Sequence, residues 1–207
     1  MGRYIGPKNK IARRFGVNLG LKTNAAKVAK RLSQPPGVHG PGKRPKAATG
    51  FGKQLLEKQK ARIVYGMRER QFRSYVDKAR TLKGDSSVNL QRMLEMRLDN
   101  VVYRLGFAVT RAQARQMVSH KMFKVNGKPL NVPSHTLKVG DEVALKENKK
   151  KKIIFVGMME KLQKIDLPSW LKMDVNTLTG KILNQPGEID FEKVFDVKLI
   201  IEYYSAR

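Results

Sequence analysis

The stretch Arg97-Leu98-Asp99-Asn100-Val101-Val102-Tyr103-Arg104-Leu105-Gly106-Phe107 decides the fold, with its continuations Thr110-Arg111-Ala112-Gln113-Ala114-Arg115-Gln116 and Val125-Asn126-Gly127. Leu98, Val101, Val102 and Leu105 recur three or four residues apart, the period of a helix with one apolar face, and Gly106 ends the pattern. Thr110 followed by Gln113 has capping-box form and opens a second helix running to His120, with Arg111 and Arg115 one turn apart. Asn126-Gly127 lies between alternating segments, and a two-residue hairpin turn needs positive φ at both positions, which Asn and Gly tolerate best.

Toward the N-terminus, Leu90, Met93 and Leu94 extend the apolar stripe backward, with Asp99 the expected break. Gly84-Asp85-Ser86-Ser87 ends one helix and caps the next. Phe72, Tyr75, Val76 and Ala79 predict a helix over 68–82, and Leu55, Leu56, Gln59, Ile63 and Tyr65 one that begins near Phe51 and is interrupted at Gly66. In 1–50, Pro35-Pro36-Gly37 and Gly40-Pro41-Gly42 forbid a long helix, leaving a short one at Lys8–Phe15. Toward the C-terminus the pattern predicts a strand over Glu142–Leu145, a helix over 153–165, and strands near 170–174 and 197–203. The class is α+β: an extended basic N-terminal arm, a helical domain, and a small α/β module with an antiparallel sheet. Four segments follow: an arm at 1–50 ordered by its partner, a helical domain at 51–92, a helix-helix-hairpin module at 93–155, and at 156–207 a helix and strands completing the sheet and packing on the helical domain.

The 207 residues hold 43 Lys and Arg against 17 Asp and Glu, a net charge of +26. Such a chain repels itself and calls for a polyanion. The charge is graded: 1–56 holds 13 basic residues and no acid, 91–152 nets +9, and 153–207 nets −1. The near-neutral end suits packing or protein contact; the rest forms one large nucleic-acid face. There is no cysteine, which excludes disulfides, thiol catalysis and cysteine-based metal sites, and three scattered histidines make a metal cage unexpected. No apolar run approaches the roughly 20 residues that span a bilayer. Without an apolar leader or acylation signal, the expected location is the cytoplasm, with no membrane partner.

One motif is a decoy. Gly37-Val38-His39-Gly40-Pro41-Gly42-Lys43 matches seven positions of a phosphate-binding loop, but Arg44 stands where Ser or Thr must hold magnesium, and Pro41 removes a backbone N–H from the cradle. Its glycines are read instead as letting the backbone lie close to RNA. Arg111, Arg115, Lys121, Lys124 and Lys128 converge where the second helix meets the hairpin, as a phosphate-binding ledge. Tyr4 and Phe51, in basic irregular surroundings, are stacking candidates. Phe72, Tyr75, Phe107 and Phe123 lie on apolar stripes and belong to the core, Trp170 is a packing residue, and Lys149–Lys152 is a solvated loop. His39 is balanced between an RNA contact and a plain turn residue.

The decisive stretch closely resembles the RNA-binding module of the small-subunit ribosomal protein S4 family. The resemblance runs the length of the chain: Arg3-Tyr4, Gly6-Pro7 and Arg13-Arg14 at the start; Pro36-Gly37-Val38-His39-Gly40 and Glu57-Lys58-Gln59-Lys60-Ala61-Arg62; Glu69-Arg70-Gln71-Phe72; Pro168-Ser169-Trp170-Leu171; and Ile201-Glu202-Tyr203-Tyr204-Ser205. It implies a bacterial-type structural protein of the ribosome, not an enzyme, that binds small-subunit rRNA early in assembly. It also implies a seat beside the channel by which mRNA enters, contact with neighbouring ribosomal proteins that influences decoding accuracy, and in some members repression of their own mRNA. By position it carries Lys43, Arg44 and Lys46 to the mRNA, and Arg97, Arg104, Arg111 and Arg115 to the rRNA face. Arg3, Tyr4, Lys8, Lys10, Arg13, Arg14, His39, Lys58, Lys60, Arg62, Arg70, Lys121, Lys124 and Lys128 complete the expected RNA contacts. Many relatives carry zinc-binding cysteines in the arm; lacking them, this chain is expected to hold no zinc and no other cofactor. Thr49-Gly50-Phe51-Gly52 replaces the more usual Ser-x-Tyr-Gly, removing a tyrosyl hydroxyl, and Gly187 stands where a basic residue is common.

Two rival classes remain at this point. An RNA-modifying or aminoacylating enzyme carrying the same module needs a catalytic domain for which 1–90, with four acids, leaves no room. A nonspecific architectural binder would show equal affinity for any duplex.

Overall fold

A computed structural model describes residues 4, 6–40, 42, 48–150, 152–155 and 157–206. The chain divides into two compact units, one of 1–91 with 192–207 and one of 92–191. The fourth segment read from the sequence, 156–207, is therefore shared: its strands belong to the second unit and its last helix to the first.

The first unit begins with α1 (Lys8–Phe15) and α2 (Ala25–Ala29), with Ala12, Leu19 and Val28 buried. Asn24 caps α2 by accepting a hydrogen bond from the Lys27 N–H. Helices α3 (Gly50–Val64) and α4 (Glu69–Thr81) follow. Phe72, Tyr75, Val76 and Ala79 on α4 are buried, which is the apolar stripe the spacing predicts. On α3 the buried face differs from the predicted one: Lys58, Ala61 and Val64 are buried, while Leu55, Gln59 and Ile63 are half-buried and Leu56 is exposed. Helix α5 (Ser86–Glu95) carries the chain into the second unit, and the Asp85 carboxylate accepts from the Ser87 N–H at its start.

The end of the chain corrects the sequence reading. Residues 197–203, expected as a strand, belong to helix α10 (Val197–Ser205). Asp196 caps it by accepting from the Lys198 N–H, and Val197, Ile200, Tyr203 and Tyr204 are buried at helical spacing against α3 and α4. A short run rich in Val, Ile and Tyr satisfies strand preference as well as helix period; the buried face decides for helix.

In the second unit, α6 (Leu98–Arg104) and α7 (Arg111–Ser119) pack together over a sheet. The expected break before α6 falls at Met96 and Arg97, where the chain bonds sideways: the Leu98 N–H donates to the His135 carbonyl and Asp99 N–H to the Pro133 carbonyl. The sheet order is β2-β1-β3-β5-β4, antiparallel throughout, with β1 (Phe123–Val125), β2 (Lys128–Pro129), β3 (Glu142–Leu145), β4 (Leu171–Asp174) and β5 (Thr179–Ile182). The β1–β2 turn has Asn126 at φ 48° and Gly127 at φ 77°, the doubly positive pair expected of Asn-Gly. Phe107 and Phe123 meet edge to face at 5.2 Å in this core, worth about 0.5–1.5 kcal/mol beyond their burial. Trp170, 1% exposed, completes it. The helix expected over 153–165 is interrupted: a 3₁₀ turn at Ile153–Phe155, then Gly157 at φ 68°, then α9 (Met158–Gln163). Helix α8 (Glu147–Lys150) occupies part of the expected lysine loop, held by a Lys150–Glu147 ion pair at 2.7 Å.

Candidate nucleic-acid interface

Alternation along the strands sorts the hairpin's side chains. Phe123 and Val125 are buried, so Lys124 between them points to the opposite face of the sheet. Its neighbours across the ladder are Pro129 on β2 and Ala144 on β3. Lys121 sits at φ 54° directly after α7 and is exposed, as is Lys128 at the sheet edge. Among the described residues none of these three lysines has a carboxylate partner. The turn that carries them is braced: Asn126 Nδ2 donates to Asp141 Oδ1 at 2.8 Å, and its Oδ1 accepts from the Glu142 N–H at 2.9 Å.

The arginines of α6 and α7 are arranged otherwise. Arg97 is wholly buried and donates to both carboxylate oxygens of Asp99, at 3.0 and 2.7 Å. Arg115 donates to the same Asp99 Oδ2 at 3.2 Å. Arg104 donates to the two oxygens of the buried Glu95 at 2.9 and 3.1 Å, and to the Asp190 carbonyl at 3.2 Å. Asn100 links this group to α7: its Nδ2 donates to Glu95 Oε2 at 2.8 Å and its Oδ1 accepts from Arg111 Nε at 2.8 Å. The Arg111 guanidinium also lies 4.6 Å over the Tyr103 ring. Arg97, expected on the rRNA face, is thus corrected to an interior position, because a fully buried, paired guanidinium has no surface to offer a phosphate. Arg104, Arg111 and Arg115 keep partial exposure while holding α6 to α7.

Thr110 caps α7, its Oγ accepting from the Gln113 N–H at 3.2 Å. Gln113 reaches back to the Val109 N–H at 3.0 Å, one residue short of a full capping box.

In the first unit, Lys58 is buried, pairs with Glu69 at 2.9 Å and lies 4.6 Å over the Tyr203 ring. Lys60 pairs with Glu57 at 2.7 Å with both side chains mostly buried. Lys58 is therefore a second interior correction. Arg62 reaches Glu69 at 3.5 Å and keeps a third of its side chain in solvent. Burial alone would raise the Glu69 pKa, but hydrogen bonds from Lys58 and Tyr204 and the charges of Lys58 and Arg62 hold it below the usual carboxylate value. Burial first, then the Glu69 contact, pushes the Tyr204 phenol upward.

Arg70 is exposed on α4, and Lys10 and Arg14 on α1, with Lys8 half-buried beside them. Arg13 donates to the Gln34 and Pro35 carbonyls at 2.8 and 3.0 Å, tying α1 to the following loop. His39 is exposed. Gly40 is buried against the Pro35 carbonyl, so its missing Cβ serves the chain's own close approach. Tyr4 is 53% and Phe51 50% exposed, although Phe51 also lies 5.7 Å from the Tyr203 ring. Arg3, Lys43, Arg44 and Lys46 lie outside the described residues. Arg73, exposed on α4, was not singled out from the sequence; its i,i+4 spacing from Glu69 was the available signal.

A capped helix followed by a lysine-bearing hairpin, on a chain of this charge, gathers on one ledge cations that are unpaired among the described residues. Residues 3–95 match the ribosomal protein S4/S9 N-terminal domain and residues 96–143 match the S4 domain. The chain belongs to the S4 family of small-subunit ribosomal proteins. It is 44% identical over 207 residues to the small ribosomal subunit protein uS4 of Roseiflexus castenholzii, covering 99% of this chain and all of that one. It is 45% identical over 210 residues to the uS4 protein of Caldicellulosiruptor saccharolyticus, at the same coverage. The S4-domain match ends inside β3, so β4 and β5 extend the family's core module in the same sheet.

Proposed function

We infer that this chain acts as an early-binding protein of the small subunit, nucleating assembly of the subunit body on rRNA. As a member of the S4 family it is a structural ribosomal protein that binds small-subunit rRNA, and not an enzyme. The family match along the full chain carries the reading. The graded charge supports it, placing excess cations everywhere but the last quarter. In this reading Lys121, Lys124 and Lys128 form the ledge for phosphates, joined by Arg111 and Arg115 where they reach solvent, and by Lys8, Lys10, Arg14 and Arg70 in the first unit. Lys43, Arg44 and Lys46 lie beside incoming mRNA, and the near-neutral C-terminal end meets a neighbouring ribosomal protein and so bears on decoding accuracy. Repression of its own mRNA is a further property of the same RNA surface. The site of action is the ribosome in the cytoplasm; no described helix is long and apolar enough to cross a membrane.

The test is binding of the full chain to protein-free small-subunit rRNA, with an unrelated duplex RNA as competitor. Tight binding that rRNA displaces and the duplex does not is expected. Equal displacement by both would leave only a nonspecific architectural binder.

A further inference from the structure

Within the first unit, α3, α4 and α10 enclose a cleft of about 420 Å³ lined by Lys58, Gln59, Arg62, Glu69, Arg73, Tyr203 and Tyr204. Its charged groups are three cations and one carboxylate. Glu69 is already engaged by Lys58 at 2.9 Å, by the Tyr204 hydroxyl at 2.7 Å and by Arg62 at 3.5 Å, so its charge is spent inside the cluster. Two positive charges are left over. Arg73 has no ion pair among the described residues and is exposed. Arg62 Nε is buried without a hydrogen-bond partner among the described residues, although its side chain as a whole still reaches solvent.

We propose that this cleft seats a backbone phosphodiester of the small-subunit rRNA, held between the Arg62 and Arg73 guanidinium groups. The chemistry favours a phosphate: two planar forks match its tetrahedral oxygens, and the charge surplus is satisfied by a strand that continues beyond the cleft. The volume, inside the roughly 300–1,000 Å³ range of ligand pockets, leaves room for the attached ribose against the tyrosines. Glu69 then has a positioning role: at 3.5 Å from Arg62 it anchors that guanidinium beside the cleft. The proposal rests on rRNA being the partner of this chain.

The test measures binding of the full chain to small-subunit rRNA over a series of salt concentrations, for the parent and for Arg73→Glu, Arg73→Gln, Arg73→Lys and Lys78→Glu. Lys78 lies on α4 five residues from Arg73 and so about 140° around the helix. Arg73→Glu is expected to weaken binding about tenfold or more, and Arg73→Gln to reduce the salt slope by about one. Arg73→Lys should keep the slope, Lys78→Glu should lose less than Arg73→Glu, and circular dichroism should be unchanged throughout. Unchanged affinity and slope in Arg73→Glu and Arg73→Gln, with the parent still binding rRNA, overturns the cleft alone. Equal losses in Arg73→Glu and Lys78→Glu overturn it too, since the whole face would then be responsible. If inorganic phosphate raises the melting temperature of the parent but not of Arg73→Gln, while rRNA affinity is the same in both, the cleft takes small anions and the proposal fails. A parent that does not bind rRNA removes the functional reading and this inference together.

Discussion

The arginines of α6 and α7 and the lysines of the hairpin come from one run of sequence, yet they are used in opposite ways. The arginines turn inward onto Glu95, Asp99, Asn100 and Tyr103. The lysines turn outward without a carboxylate partner among the described residues. The side chains explain why. A guanidinium has a planar fork that fills a bidentate carboxylate site and is weakly hydrated, so burial costs it less; an ammonium is compact and strongly hydrated. The first unit shows that residue type alone does not decide, because there Lys58 is inside and Arg73 outside. What decides is whether the fold places an acid within reach.

The largest effect expected falls on the inward group. Asp99→Ala removes the carboxylate that Arg97 grips with two hydrogen bonds in the interior, and removing one member of a buried pair costs about 3–5 kcal/mol. Urea unfolding should show that loss, and Lys121→Ala under the same conditions should show almost none. Arg111→Ala comes next, at about 1.5–3 kcal/mol for its charged hydrogen bond to Asn100. A loss of rRNA affinity in this variant with stability intact would move Arg111 from the inward class to the outward one.

The helix pair, the Asn-Gly turn and the core aromatics could be read from the sequence, because each is a local pattern that burial reinforces. Among the elements that were not legible, three show why. Helix α10 has strand-like composition, and only its packing on α3 fixes the period. Strand β5 contains Gly180, which weakens any strand signal, and one of its two partners, β3, lies far from it in sequence. Helix α2 is five residues long, too short for a period to show. For the candidate site, the sequence located the basic regions but could not tell inward from outward cations, because Glu95, Asp99 and Glu69 select their partners through tertiary contacts. That is why Arg97 and Lys58 were expected at the RNA and lie in the interior.

Smaller effects sharpen the same contrast. Asn126→Ala puts a residue that tolerates the left-handed region less well than Asn at φ 48° and removes the brace to Asp141, for about 1–2 kcal/mol. Its rRNA affinity should fall more than its stability, because the turn aims Lys124 and Lys128. Glu69→Gln tests the first unit's network through pH. A carboxyl whose pKa is lowered on folding adds stability above its ordinary value of 4.5, and that stability is lost as pH falls through the folded value. The parent should therefore be more stable than Glu69→Gln at neutral pH, and the gap should close below about pH 4.5. Its size is modest, because Glu69 is 45% exposed and solvent screens the pair. A gap that does not change with pH would mean that the Glu69 charge contributes nothing.

The most direct measurement is the affinity of the full chain for small-subunit rRNA against salt concentration, for the parent and for Lys121, Lys124 and Lys128 replaced together by Ala. If the parent neutralises on the order of 6–10 phosphates, its affinity should fall about 10³–10⁵-fold between roughly 50 and 200 mM salt. The triple variant should bind more weakly with a slope shallower by about 2–3, and unfold in urea at the same midpoint as the parent. A parent affinity that hardly changes with salt, or a triple variant with the parent's slope, would contradict the assignment of these outward lysines to the RNA.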